Sequence, residues 1–386
     1  MSIKPVIVAV AYKRAKSLRR LLKTVGAADY DEDSVTLIIS IDYCSDNADV
    51  IDAANEFEWK HGDKIVKTHE QNLGLKTHII ECGDYSLKYG AVIILEDDQA
   101  VAPSFYRYVK TAHEYYQNDS RVAGVSLYSH EWNGYVGRKF QPYKTDGDVY
   151  FGQFSCTRGQ SWTKEQWIGF KNWITKNDDI KRDELLPPIM YDWKKSWGKF
   201  FSRYIVEQGK YYVMPYKPVS TVFGETGTNT VNREYDVQVA LYCGHGAFDF
   251  IPFEKGQHYD IFFENMALKD VIARRYHVDR ESVAIDLYAC PGREYGDKQY
   301  VLTTRKLNRH VVDCFALDVR PHEMNVIWDI KGDTLKLYDM SKFGREKKHY
   351  VDDRLDYDFA GVHGMEAVHY GIRHCFRIFC SMLREK

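Results

Sequence analysis

The chain has 386 residues, with 53 Lys and Arg against 55 Asp and Glu, for a formal net charge of −2. No global field therefore draws it to nucleic acid or to an anionic membrane, and any such attraction has to be local. Hydrophobic residues make up 44% and charged residues 28%, an ordinary globular balance with ample material for a core, spread over roughly two or three domains. Aromatic residues reach 15%, including 29 Tyr and 8 Trp; such rings serve equally in a core or in the walls of a polar-ligand cleft. The 8 cysteines are scattered and form no CxxC pair, which fits the reduced thiols of a cytoplasmic protein better than a disulfide frame or a zinc site. The first apolar run is too short for a secretory leader, and no stretch approaches the length that spans a membrane.

In chain order, "PVIVAVAY" (residues 5–12) is a continuous apolar run, the pattern of a strand buried on both faces. Leu18, Leu21, Leu22 and Val25 follow at i, i+3, i+4 and i+7, which predicts an amphipathic helix. "VTLIISID" is a second buried strand, residues 48–60 a helix, "KIVKTH" a short strand and residues 76–89 another helix. "AVIIL" is the next strand; Pro103 then opens a helix with Phe105, Val109, Ala112 and Tyr116 on one face. Strand and helix thus alternate four times, the mark of a doubly wound, mostly parallel sheet. Beyond Val122 the pattern loosens into strands and long loops, with helical sequence in "SWTKEQWIGFKNWI" and from Trp193 to Tyr204, and a Gly/Thr loop in "FGETGTNT". Five segments between about 282 and 339, "VAIDLYA", "YVLTTRKL", "VVDCFALDV", "NVIWDI" and "TLKLYDM", read as strands of a β-rich C-terminal region.

Ligands of such sheets bind outside the carboxyl ends of the strands, and three polar groups fall there: Lys13 with Arg14, Asp42, and the triplet Glu96-Asp97-Asp98. Three adjacent acids need a counter-charge, and Mg²⁺ or Mn²⁺ typically takes one or two carboxylates and completes its shell with substrate phosphates. Asp98 is the direct ligand in that reading, Asp97 a ribose or water-mediated contact, and Glu96 an acceptor for ligand hydroxyls. The alternative is a solvated turn whose acids favour the following helix N-terminus. Asp42 can bond a nucleobase or close an Asx-turn, and Arg14 can meet a diphosphate or remain a solvated charge. Asn72 and Lys76, in "NLGLK", can cradle a ligand or cap a helix.

The segments "VAYKRAKSLRRLL", "ISIDYCSD", "ILEDDQAVAPSFYRYV" and "MYDWKKSW" together resemble the motifs of nucleotide-sugar glycosyltransferases with the glycosyltransferase A fold. The likeness is to animal N-acetylglucosaminyltransferases that begin complex N-glycan branches. "SWGKFFSRYIVEQGKYYVMPYKPVSTVFGETGTNT" is also similar to bacterial transferases that build surface polysaccharides. The resemblance covers about residues 4–230. It implies a Rossmann-like catalytic domain over 1–250, with a donor half to about 125 and an acceptor half from about 126, followed by the β-rich region over 251–386. It implies that Asp98 binds Mn²⁺ or Mg²⁺, that Glu96 and Asp97 contact the donor's sugar and ribose, that Asp42 recognises the base, and that Arg14 meets the uridine-diphosphate end. Asp192 becomes the general base, although the animal pattern has two adjacent acids before the Trp and this chain has Tyr191-Asp192-Trp193.

The activity so implied is inverting transfer from a UDP-sugar, UDP-GlcNAc among them, to a glycan or lipid-linked glycan, with no nucleic-acid partner. The rivals are a non-catalytic binding module on the same fold and a sugar nucleotidyltransferase; "AYKRAKSL" lacks the glycines of a nucleotidyltransferase phosphate loop. In the tail, Ile372, Phe376, Phe379 and Leu383 lie at helical spacing beside Arg373, His374, Arg377 and Arg384. A basic amphipathic helix over 369–386 can lie on the cytoplasmic membrane or pack on the protein's own core.

Overall fold

The computed structural model describes residues 3–193, 196–225 and 236–344, together with separate helical residues between 358 and 376. The chain opens with β1 (Val6–Ala11), α1 (Ala15–Gly26), β2 (Leu37–Ile41), α2 (Ala48–Glu56), β3 (Lys64–Thr68), α3 (Gly74–Gly83), α4 (Tyr85–Tyr89) and β4 (Ala91–Glu96). It continues through β5 (Gln99–Val101), α5 (Phe105–Tyr116), β6 (Val122–Ser126) and a hairpin of β7 (Trp132–Asn133) and β8 (Arg138–Lys139). Next come β9 (Val149–Gly152), β10 (Gln160–Thr163), α6 (Lys164–Ile174), α7 (Trp197–Glu207), β11 (Tyr211–Pro215) and β12 (Ser220–Val222). The last part holds β13 (His258–Tyr259), α8 (Ala267–Tyr276), β14 (Val283–Asp286), β15 (Tyr300–Thr303), β16 (Arg309–Phe315), α9 (Glu323–Ile327) and β17 (Leu335–Phe343).

Nine strands form one sheet in the order β13-β9-β11-β6-β10-β4-β1-β2-β3. β3, β2, β1 and β4 run parallel, and β10 enters antiparallel between β4 and β6. The continuous apolar runs are explained by burial on both faces. Ile7 and Ala9 of β1 join the core under α1, α2 and α5, whereas Val6, Val8 and Val10 join the core shared with α3, α6 and α7. The ninth strand comes from beyond residue 250, so the large sheet runs on to Tyr259. A second, four-stranded sheet has the order β14-β15-β17-β16.

Two details depart from the expected elements. The helix read over residues 76–89 is two helices meeting at Asp84, whose carboxylate accepts from Trp167 Nε1 at 2.8 Å and pairs with Lys171. The Trp167 ring lies so close to Gly83 that a Cβ there would stand 2.1 Å from it, so only glycine admits this contact. "NVIWDI" is not a strand: its first residues belong to α9. Asn325 accepts from the amides of Asp318 and Val319 and donates to the carbonyls of Val319 and His322. That local side-chain to backbone pairing outcompetes a β ladder for an apolar run of this length. In the tail, residues 371–373 are helical and Ile372 and Phe376 are exposed. Phe379, Leu383, His374, Arg377 and Arg384 lie outside the described residues.

Several histidines are buried as neutral rings. His113 Nε2 lies 2.7 Å from Ser161 Oγ, and burial lowers its pKa to about 3. A depressed folded value means that the unfolded chain takes up the proton first. The contribution is then complete above the unfolded value of about 6.5 and lost as pH falls toward the folded one. Buried carboxyls with raised values tilt the whole protein the other way, so the effect is read as a difference. Relative to wild type, His113→Gln gains about 1.4 kcal/mol for each pH unit below 6.5. Urea unfolding of both proteins at pH 7 and 4.5 measures this, and a gap that does not change with pH contradicts a neutral buried ring.

Candidate active site

β4 ends at Glu96, and Asp97 and Asp98 make the turn into β5. β5 pairs with β12, and the next residue, Phe223, donates its amide to the Asp98 carbonyl at 2.9 Å. The start of the Gly/Thr loop is therefore stitched to the triplet. Arg14, on the turn between β1 and α1, supplies the counter-charge. Its Nε donates to Asp97 Oδ2 at 3.3 Å, its Nη2 donates to Asp97 Oδ1, and the same Nη2 lies 3.2 Å from Asp98 Oδ2. Parallel pairing of β1 with β4 sets Val10 beside Glu96, which brings the two strand ends, and so the two charges, together.

Burial, reinforced by repulsion from Asp98 and Asp97, pushes the Glu96 carboxyl up to about 8, against the pull of Arg14 and Arg158. Burial also raises Asp97, to about 6, despite its bonds to Arg14. The triplet by itself thus sheds part of its charge near neutrality. Arg14→Gln removes the one guanidinium bonded to it among the described residues and costs about 2–4 kcal/mol of stability. Urea unfolding with and without millimolar Mg²⁺ checks this; the divalent cation restores part of the loss, and an unchanged midpoint contradicts the counter-charge role.

Asp42 closes β2, and its carboxylate is fully engaged with backbone. Oδ1 accepts from the amides of Tyr43 (2.8 Å) and Leu73 (2.9 Å), and Oδ2 from that of Gly74 (3.1 Å). The carboxylate caps α3 from outside the helix, which fixes the α3 entry against the end of β2. Asn72 is exposed and donates to the Tyr43 carbonyl at 2.9 Å, tying the two loops together. Lys76 lies over the Phe200 ring of α7, its Nζ 3.5 Å from the ring centre. Beside Arg14, a cavity of about 420 Å³ opens between the β1–α1 turn and the start of α2, with Lys13, Ser17, Asp46, Asp49 and Glu225 in its wall. Glu225 pairs with Arg20 and accepts from Ser17 Oγ at 2.8 Å, so the loop's first residues reach across to α1. The rest of that loop lies outside the described residues.

Asp192 ends a 3₁₀ turn, Pro188–Asp192, that follows Pro187. It is exposed, and its carboxylate has no hydrogen bond or ion pair among the described residues. Two cations escaped sequence reasoning. Arg158 precedes β10, and its charge acts on Glu96 because β10 runs antiparallel beside β4. Lys199 sits in the first turn of α7, beside Phe200. Neither belongs to a motif, and only strand and helix packing reveals their place.

Among the described residues no three His, Cys, Asp or Glu side chains converge as a closed metal cage. The oxygen donors at the triplet fit the other arrangement, in which one or two carboxylates hold Mg²⁺ or Mn²⁺ and phosphate oxygens complete the shell. Asp98, with its side chain 29% exposed against 6% for Asp97, is the carboxylate open to such an ion.

Four parallel strands, an antiparallel insertion after β4 and an acidic turn at the β4 end define the architecture. This is a Rossmann-like α/β fold with a mostly parallel central sheet, with a second, four-stranded sheet following it. No family model and no curated protein matches the sequence. Among solved structures, S. aureus TarS residues 1–349 in complex with UDP-GlcNAc is 10% identical over 60% of this chain and 61% of that one, with a TM-score of 0.39. The same TarS fragment in another crystal structure is 12% identical over 54% and 57%, with a TM-score of 0.33. The mannosyltransferase PcManGT from Pyrobaculum calidifontis, in complex with GDP-Man and Mn²⁺, is 10% identical over 55% of each chain, with a TM-score of 0.35. Each match spans less than two thirds of the other chain. At such scores the likeness is distant, and the α/β description rests on the strand order alone.

Proposed function

We propose that the protein is a metal-dependent, inverting glycosyltransferase that moves a sugar from a UDP-sugar to a hydroxyl of a glycan or lipid-linked glycan. The observation that carries this reading is the acidic triplet at the end of β4, facing Arg14 across the carboxyl edge of a parallel sheet. In this reading Asp98 holds the cation, Asp97 and Glu96 contact ribose and sugar, and Arg14 turns from the acids toward the diphosphate. Asp42 and Asn72 shape the base pocket through the loops they tie together. The bound cation supplies charge stabilisation for the leaving diphosphate. Asp192 takes the proton of the acceptor hydroxyl, and a single base with direct displacement inverts the anomeric centre.

Incubation with UDP-GlcNAc, UDP-glucose, UDP-galactose and GDP-mannose, each with Mn²⁺, tests the reading through release of nucleoside diphosphate. One UDP-sugar is turned over, and proton NMR of the product shows an anomeric configuration opposite to the donor's. Release of pyrophosphate or nucleoside triphosphate instead moves the nucleotidyltransferase reading to the front. Donor binding without release, across a range of acceptors, favours the binding module.

A further inference from the structure

A second cavity, of about 570 Å³, lies at the edge of the sheet opposite the acidic triplet. Val122 and Ala123 at the start of β6 line it, as does Thr163 at the end of β10, which pairs with Ala91 at the beginning of β4. The last turns of α5 and α7 and one side of α6 complete its wall. β4 is six residues long, so about 16 Å of strand separates the cavity from the triplet. Its volume falls within the range of small-molecule sites, about 300–1,000 Å³.

One side chain in this wall lacks a partner. Tyr204, in α7, is only 4% exposed, and its hydroxyl has no hydrogen bond among the described residues. The phenols of Tyr106 and Tyr108 also lack partners but end in sealed protein, whereas Tyr204 borders the cavity. Burial pushes the Tyr204 phenol up to about 12, so it stays a hydroxyl that both donates and accepts. Gly169 faces it from α6, where a Cβ would stand 2.6 Å from the Tyr204 Oη. A glycine inside a helix costs about 1 kcal/mol against alanine, and this one makes room for a hydroxyl that no described residue engages. A ligand hydroxyl in the cavity supplies the missing bond.

The remaining lining specifies the ligand's chemistry. Asn118, Asn172 and Gln208 are exposed, and their side-chain amides make no hydrogen bond among the described residues. An amide donates and accepts at once, as a sugar hydroxyl does. Trp173 adds an aromatic wall: its Nε1 donates to Glu207 at 2.8 Å, and its ring centre lies 5.9 Å from that of Tyr204. The charges of the lining cancel, Asp119 and Glu165 against Lys176 and Lys210. Asp119 is moreover paired with Arg121, and Lys210 donates to the Ser120 carbonyl. Nothing in this balance selects an ion. Aromatic rings, free amides and a phenol without net charge complement an uncharged, hydroxyl-rich ring.

We infer that this cavity is a second carbohydrate site, which holds a neutral sugar unit away from the reaction centre. That the unit belongs to the acceptor glycan rests on the glycosyltransferase reading; the sugar site itself does not.

Saturation-transfer NMR tests the site in wild type and in the double variant Tyr204→Phe, Asn172→Ala. The probes are the methyl glycosides of N-acetylglucosamine, glucose, galactose and mannose, with methyl glucuronide as the charged comparison. Wild type binds at least one neutral glycoside saturably, and more tightly than the glucuronide. The double variant weakens that binding by about tenfold, the share of two hydrogen bonds. UDP with Mn²⁺ does not displace the glycoside, and its own affinity for the variant stays within about twofold of wild type. Wild type that binds no neutral glycoside or prefers the glucuronide, or a folded double variant that binds as wild type does, overturns the site. Displacement by UDP also overturns it, because the sugar then sits in the donor cleft. Glycoside binding without any UDP binding by wild type sinks the glycosyltransferase reading and leaves the site standing; UDP binding without glycoside binding does the reverse. Should the double variant not fold, Asn172→Ala alone, at an exposed position, weakens binding by about threefold and is read in the same way.

Discussion

Asp192→Asn binds donor as wild type does and transfers sugar about 10²–10⁴-fold more slowly, the usual share of a general base. The expectation follows from where the residue sits. Pro187 and Pro188 set the entry of a single 3₁₀ turn, and Asp192 closes it with an exposed carboxylate engaged with no described neighbour. No described residue consumes its charge, so the charge is available to an incoming hydroxyl. Asn keeps the shape and loses the basicity, and an exposed position of this kind leaves stability within about 0.5 kcal/mol. Steady-state rates with a fixed donor, beside calorimetric donor affinity, separate the two effects. A turnover number equal to that of wild type removes Asp192 from the mechanism.

Asp98→Ala loses the metal-dependent part of donor binding and slows transfer by at least about 100-fold, as expected when several kcal/mol of charge stabilisation disappear. The three acids are not equivalent. Asp97 gives both oxygens to Arg14 and is nearly sealed from solvent. Glu96 is held by burial and by its neighbours in a state that favours the proton. Asp98 has the open carboxylate, and its backbone carbonyl is bound by Phe223 at the root of the Gly/Thr loop. Loss of its side chain therefore spares the turn and removes the ligand. Rates measured across a Mn²⁺ titration show this directly; a variant with the wild-type metal dependence places the ion elsewhere.

The first 120 residues were legible because their signals are local. β1, β2 and β4 are continuous apolar runs ending in charge, and α1 and α5 carry their apolar residues on one face. Those strand ends gave Arg14, Asp42 and the triplet as site candidates without any tertiary knowledge. What escaped depends on contacts between distant segments. That Arg14 neutralises Asp97 follows from pairing of β1 with β4 across 83 positions of sequence. That the Asp42 carboxylate is spent on the α3 amides follows from the 31-residue step to Leu73. Arg158 comes beside Glu96 through an antiparallel strand insertion, which has no sequence signature. "NVIWDI" misled because its apolar content suits either element, and the Asn325 bonds decide it.

The most direct test of the central claim is calorimetric titration of UDP, GDP, CDP and ADP, with and without Mn²⁺, into wild type and Asp98→Ala. A nucleotide-sugar transferase built around the triplet binds UDP saturably only when Mn²⁺ is present, and Asp98→Ala abolishes that binding. Folded wild-type protein that binds none of the four diphosphates, with or without metal, contradicts the account and leaves the triplet as a turn neutralised by Arg14.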